Sequence, residues 1–386
     1  MIRTDKEVEL LLACSRPQMD DENEQRIRRL LDEEIDWEWM QKAARVNGVW
    51  PIMYHNLKSV CPNEVPKDIL LNLKNVYLNN AMRNLMLTRE LLRIIEDFQE
   101  NGIETVPFKG PTLAKMAYGD VTLRSFSDLD IVVRKQDVLK ARDVLLIRGY
   151  KPQIMFSPRQ EKGLLKNACE YNFFRKNPSI AVEIHWRFHP EYSSVPFDEG
   201  VWSRLDRMDL EGTQINSFAA EDLILILSSH ATRHGWSQLK FMSDLAGIIS
   251  RHQINWDQIA SGANEMRIVR ILHLGLLLAH DLLGAKLPKQ TLHEAESDEA
   301  ARKIADSISE KLFSDLDGHD GIIEKYLFWA KTRECMSDQA RYIFDVGIKP
   351  CQADYDAFPM PELFYPAYWV VRPVRLVWQY ILKKQI

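Results

Sequence analysis

Apolar residues recur at helical spacing through roughly the first hundred positions. Ile27, Leu30 and Leu31 share a face in 23–33 (NEQRIRRLLDE), and Leu70, Leu71, Leu73, Val76, Leu78, Met82, Leu85, Leu91, Leu92 and Ile95 carry the pattern through 67–98. A 3.6-residue period predicts amphipathic helices, with Gly48 and the Asn101-Gly102 pair as stops. The period changes at 103. Residues 103–108 are short and β-prone, and Lys109-Gly110-Pro111 interrupts them. Pro111 suits the first position of a helix over 111–118, where its missing N–H loses no hydrogen bond. Residues 129–133 (LDIVV) predict a strand and 136–148 an amphipathic helix stopped at Gly149. Residues 171–176 (YNFFRK) and 180–186 (IAVEIHW) predict a hairpin turned at Asn177-Pro178-Ser179.

This order implies a small mixed sheet with helices packed on it. From about 219 the helical period returns, over 220–234, 238–250 and 264–284. Residues 349–366, rich in Pro, Asp and aromatics, read as a packed irregular connector, and 369–386 as an aromatic, basic helix. The expected fold class is α+β. A helical region over 1–100 precedes a mixed core over 101–215, and a second helical region covers 216–386.

The polar positions inside this pattern carry the chemistry. Ser127-Asp128-Leu129-Asp130 runs directly into Ile131-Val132-Val133, placing two carboxylates at the start of a buried strand. Residues i and i+2 of a strand share a face, so Asp128 and Asp130 point one way while Leu129, Ile131 and Val133 point into a core. By the same rule Val182, Ile184 and Trp186 form a buried side and Glu183 and His185 the opposite one. If the two strands are neighbours, three carboxylates converge, repel one another and call for a cation. An all-oxygen set suits Mg²⁺ or Mn²⁺. Taken singly, each acid has a plainer reading as a turn cap or a solvated strand residue.

Just upstream, a strand enters a glycine turn and then a helix, whose N-terminal N–H groups attract phosphate. Gly110 would let a ligand approach the backbone, and Lys109 and Arg124 add positive charge.

Composition narrows the classes. With 386 residues, 46% hydrophobic and 27% charged, there is material for two or three domains. Fifty basic and 55 acidic residues leave a net charge of −5, so no strong nucleic-acid signal is present. Five cysteines, scattered at 14, 61, 169, 335 and 351, fit reduced thiols rather than a disulfide framework or zinc site. MIRTDKEVEL lacks the apolar core of a signal peptide, and runs such as 363–371 are shorter than the ~20 residues of a membrane span, so a cytoplasmic location is expected.

Together these features resemble the DNA polymerase β-like nucleotidyltransferase superfamily: a glycine turn opening a helix, D-x-D on the next strand, and a third acid on a later one. The finer pattern is K-G-x-x-L from Lys109, then Tyr118, R-x-x-S-D-x-D from Arg124, and E-x-H-W from Glu183. It is similar to a bacterial nucleotidyltransferase family of largely uncharacterised members, over roughly residues 100–250. The resemblance implies transfer of a nucleoside monophosphate from an NTP, ATP favoured, to an unidentified small molecule, peptide or protein, with Mg²⁺ (or Mn²⁺) as cofactor. It implies that Asp128, Asp130 and Glu183 are catalytic and hold metal, and that Lys109, Gly110, Thr112, Arg124, Ser127, His185 and Lys240 bind nucleotide. The pattern departs at Pro111, where most members carry a serine after the glycine. Thr112 or the bare backbone would have to serve instead. That departure leaves a second reading, a degenerate nucleotide-binding protein with a regulatory or complex-forming role.

Two further groups stand out. His230, Arg233 and His234 share a helix face, as do Lys240 and Asp244 on the next helix. They read either as a cleft lining or as a structural polar network. In the tail, Arg372, Arg375, Gln379 and Lys383 form one basic stripe on an otherwise apolar helix. This is compatible with peripheral membrane contact through 369–386 or with packing on protein.

Overall fold

The computed structural model describes residues 6–189, 199–314, 316, 322–350, 354, 357–358 and 360–378. Five helices come first: α1 (Lys6–Cys14), α2 (Asp21–Leu31), α3 (Trp37–Val46), α4 (Trp50–Val60) and α5 (Lys67–Glu100). Asp20 and Asp36 cap α2 and α3 by accepting hydrogen bonds from the Asn23 and Trp39 backbone N–H groups. The long α5 ends at Asn101, where the left-handed Gly102 (φ 63°) turns the chain into the sheet. Leu87, Leu91, Ile94, Ile95 and Phe98 on its inner face enter the core beneath that sheet.

The sheet comprises β1 (Thr105–Pro107), β2 (Asp128–Val133), β3 (Lys151–Pro152), β4 (Glu170–Arg175) and β5 (Ile180–His185), in the order β1-β2-β5-β4-β3. β2 and β5 are parallel; the other pairings are antiparallel. The predicted hairpin is thus β4–β5, and its second strand inserts beside β2. Helices α6 (Gly110–Tyr118), α7 (Val138–Ile147) and α8 (Pro158–Asn167) connect the strands. Position 128 is half-buried and every other residue of β2 is buried, so Asp130 and Val132 lie under packed structure rather than facing water. Neither α8 nor a second hairpin, β6 (Asp206–Leu210) with β7 (Thr213–Ser217), is expected from the sequence pattern.

The C-terminal half is helical: α9 (Ala220–Arg233), α10 (Leu239–Arg251), α11 (Trp256–Glu265), α12 (Val269–Leu283), α13 (Lys289–Ser297), α14 (Glu299–Lys311), α15 (Ile322–Lys331), α16 (Met336–Ile348) and α17 (Tyr368–Val377). Residues of the first and last helical regions share one apolar core, which includes Leu11 and Met53 as well as Leu245 and Leu277. A second cluster fills the space between the sheet, α5 and α7.

The tail helix packs on protein through its charged side. The basic stripe of α17 faces inward: Arg372 and Arg375 are buried and both bind Asp354, at 3.0 and 2.6 Å. Trp369, Val370, Val374, Val377 and Trp378 are exposed instead. Gln379 and Lys383 lie outside the described residues. Among the described residues, no helix is long and apolar enough to cross a membrane.

Candidate active site

The parallel register of β2 and β5 sets Asp130 directly beside Glu183 and Val132 beside His185. Side-chain alternation then turns Asp130, Glu183 and His185 to one face. Their ligand atoms lie within 4.8 Å of one another, so this group could hold a divalent metal. His185 Nε2 is 3.2 Å from Asp130 Oδ1 and 3.3 Å from Glu183 Oε2. Asp128 falls outside this close group but lines the same cleft. The grouping differs from the sequence expectation, in which Asp128 was the third ligand and His185 a nucleotide contact. His185 is 3% exposed, and it sits behind the acids.

Lys109 reaches into the group. It flanks the start of α6, and its Nζ lies 2.5 Å from Asp130 Oδ1. Burial would raise the Asp130 carboxyl, but Lys109 and His185 outweigh it and hold the group well below the usual carboxylate range. Burial would likewise lower His185, yet its bonds to Asp130 and Glu183 and the charge of Glu170 raise it to about 9. At neutral pH it is a cation among acids. Asp128 moves the other way: burial, then the charge of Asp130, pushes it up. Asp130 Oδ2 is buried without a hydrogen-bond partner.

Gly110 is required by geometry. Its φ is +55°, in the left-handed region, and a Cβ there would stand 3.1 Å from the Asp128 carbonyl oxygen. The close approach it permits is therefore between its own backbone and β2.

The cleft holds about 310 Å³ and is lined by Lys109, Gly110, Arg124, Ser127, Asp128, Asp130, Glu183 and Lys240, among others. His230, Arg233 and His234 line it as well, so α9 and α10 share the cleft with the strands that carry the acids. Lys240 is half-buried and its ammonium lies 5.6 Å from the Phe241 ring; burial, then Arg124, lowers its pKa. Thr112 does not line this cleft: it is 1% exposed within α6, and its Oγ1 has no partner. The hydroxyl expected to replace the missing serine is thus turned into the fold.

Arg124 lines the cleft, but its guanidinium is engaged. Nε and Nη2 donate to the two oxygens of Asp244 at 2.8 and 2.9 Å, and Tyr118 donates its hydroxyl to the same carboxylate at 2.9 Å. This buried fork ties the loop before β2 to α10. Lys240 and Asp244, which share a helix face, thus divide: one lines the cleft and the other secures its wall.

The sequence reading missed Glu170, which lies 3.7 Å from His185 Nδ1 and 3.6 Å from Arg233 Nη2. Burial would raise it, but His185, Arg233 and Lys109 hold it low. The hairpin contained the signal. With Arg175 opposite Ile180, antiparallel pairing places Glu170 opposite His185.

Residues 33–284 match a family described as an uncharacterised nucleotidyltransferase. No curated protein matches the chain, and no solved structure does.

Proposed function

The chain belongs to this uncharacterised nucleotidyltransferase family, and from that premise we propose that it moves a nucleoside monophosphate from an NTP, ATP favoured, to a small molecule, peptide or protein. The observation that carries the reading is the β2–β5 register, which sets Asp130 against Glu183 at the floor of a cation-lined cleft.

The acids suit a divalent metal. Asp130 Oδ1 alone meets Lys109 and His185, while the buried Oδ2 lacks a partner. Asp128, Asp130 and Glu183 would hold Mg²⁺ or Mn²⁺, an all-oxygen donor set that suits either ion. Such an ion, when bound, neutralises phosphate charge and polarises the phosphorus under attack.

The chain's own residues do the rest. Lys240 and Lys109 offer charge to the triphosphate where it develops in the transition state. Glu183 takes the proton of an acceptor hydroxyl as its oxygen bonds to the α-phosphorus. The bond from that phosphorus to the bridging oxygen breaks, and pyrophosphate leaves. His185 orients Asp130 and Glu183. Arg124 and Asp244 keep the cleft wall in place, so nucleotide and acceptor meet in a fixed geometry.

A second reading rests on the Lys109–Asp130 contact and on Pro111 in place of serine. If Lys109 stays on Asp130 when nucleotide arrives, the protein binds without transferring and acts as a regulatory or complex-forming component.

Thermal unfolding with each NTP and MgCl₂ or MnCl₂, followed by pyrophosphate release in the presence of fractionated cell extract, tests both. Transfer predicts stabilisation by NTP and release that falls about 100-fold or more in Asp130→Asn. Release at the wild-type rate in that variant overturns the site assignment. Stabilisation without release in any fraction supports the second reading.

A further inference from the structure

A cluster of buried donors lies outside the carboxylate group. Arg333, just past the end of α15, is 1% exposed, and its Nε, Nη1 and Nη2 make no hydrogen bond. Asp338 Oδ2 stands 3.9 Å from Nη2, beyond hydrogen-bond reach. The Arg333 backbone is held firmly, its carbonyl accepting from Arg270 Nη1 at 2.8 Å and Gln339 Nε2 at 3.1 Å. One helical turn earlier, Trp329 is buried and its Nε1 has no partner. Its ring lies 5.3 Å, centroid to centroid, from that of His189, which is also buried and has neither ring nitrogen hydrogen-bonded.

A guanidinium and an indole can only donate. A buried unpaired charge is strongly unfavourable, and buried polar groups in folded proteins are nearly always satisfied. Asp338 brings negative charge to ion-pair distance but accepts no hydrogen bond, so what the cluster lacks is a hydrogen-bond acceptor. A guanidinium fork fits the paired oxygens of a carboxylate or phosphate. His189 can add a donor while remaining uncharged: burial, then Arg233 and Arg333, lowers its pKa to about 3.

The cluster adjoins the candidate active site. The chain continues past the end of β5 from His185 to His189 through Phe188, whose ring lies 5.6 Å from Phe108, and Phe108 in turn packs edge-on against His185 at 5.2 Å. Arg233, which lines the cleft, also acts electrostatically on His189. We propose that Arg333, Trp329 and His189 form an oxyanion pocket behind the Arg233 wall, and that it receives a carboxylate or phosphate group of the acceptor. The oxyanion pocket stands on these residues alone; its assignment to the acceptor rests on the transfer reading above.

The test uses the full chain in EDTA without nucleotide. Tm is measured against sodium phosphate, sodium acetate and sodium chloride at matched ionic strength. Wild type should gain about 2 °C or more in phosphate or acetate relative to chloride. Arg333→Met should lose that gain, read against the variant's own Tm in chloride. If Arg333→Met does not fold, Arg333→Lys decides: it keeps the charge but loses the fork, so its gain should shrink. A wild-type Tm identical in all three salts, or an equal gain in the variant, overturns the pocket.

For the carrier, pyrophosphate release is measured against acceptor concentration. Arg333→Met, or Arg333→Lys in its place, should raise the KM for acceptor while leaving that for NTP unchanged. An unmoved acceptor KM alongside a retained phosphate gain in wild type overturns the acceptor assignment and leaves a site for free phosphate. Absence of release from wild type itself is a failure of the transfer reading, which the EDTA titration does not share.

Discussion

Asp244→Ala should destabilise the protein by about 3–5 kcal/mol, the usual cost of leaving one partner of a buried ion pair uncompensated. The Arg124 and Asp244 side chains are 7% and 2% exposed, so water can replace little of what is lost. Three hydrogen bonds end on this one carboxylate, two from Arg124 and one from the Tyr118 hydroxyl, each between 2.8 and 2.9 Å. Hydrogen bonds to a charged group contribute about 1.5–3 kcal/mol apiece, and they are not additive here because they share an acceptor. Urea unfolding followed by circular dichroism gives the loss as a shift in midpoint at constant m. The double variant Arg124→Met with Asp244→Leu removes both charges and should recover 2 kcal/mol or more, by a rough estimate. A single-variant loss below about 1 kcal/mol, or simple additivity in the double variant, would show that the pair is solvated and refute the argument. The same double variant decides Arg124's role. If the guanidinium is structural, NTP affinity stays within about tenfold of wild type, or about 1.4 kcal/mol; a larger loss would mean that it touches phosphate.

Gly110→Ala should cost about 1–2 kcal/mol, because the left-handed conformation disfavours a Cβ that would also press on the Asp128 carbonyl oxygen; an unchanged denaturation midpoint would contradict this. In EDTA, His185 should make stability pH-dependent. Its folded pKa of about 9 lies above the ordinary 6.5, so the stabilisation is complete below about pH 6.5 and is lost as pH rises through about 9. The loss should be on the order of 3 kcal/mol, and His185→Asn should show a flatter profile over that window. Among the described cysteines, exposed Cys335 should react with a thiol reagent in the native protein well before Cys14, Cys61 and Cys169, which are buried. Burial, then Glu170, pushes the Cys169 thiol up to about 12, so early modification of that residue would be unexpected.

The parts of this fold legible in the sequence are those governed by short-range period. The helical stretches, β2 and the β4–β5 hairpin follow from alternation and turn residues, and the family resemblance rested on the residues they carry. The β2–β5 adjacency was conditional in the sequence, because parallel pairing across some 50 residues leaves no local trace. Asp244 read either as a cleft residue or as part of a structural polar network, because helical spacing shows which face a side chain shares but not what it meets. Only the packing of α6 against α10 brings it to Arg124 and Tyr118. Thr112 was legible as a hydroxyl near a helix start; its inward direction depends on where the rest of the core lies. The α17 stripe shows the same limit: amphipathicity was evident, but the inward side is the charged one, because Asp354 waits there.

β5 forms ladders with both β2 and β4 and bears Glu183 and His185. On the ribosome, a nascent chain that has emerged only through β2 therefore carries two aspartates but neither their glutamate nor their histidine neighbour. Docking of a single central strand then completes the carboxylate group, while the wall that carries Arg233, Lys240 and Asp244 follows only with α9 and α10.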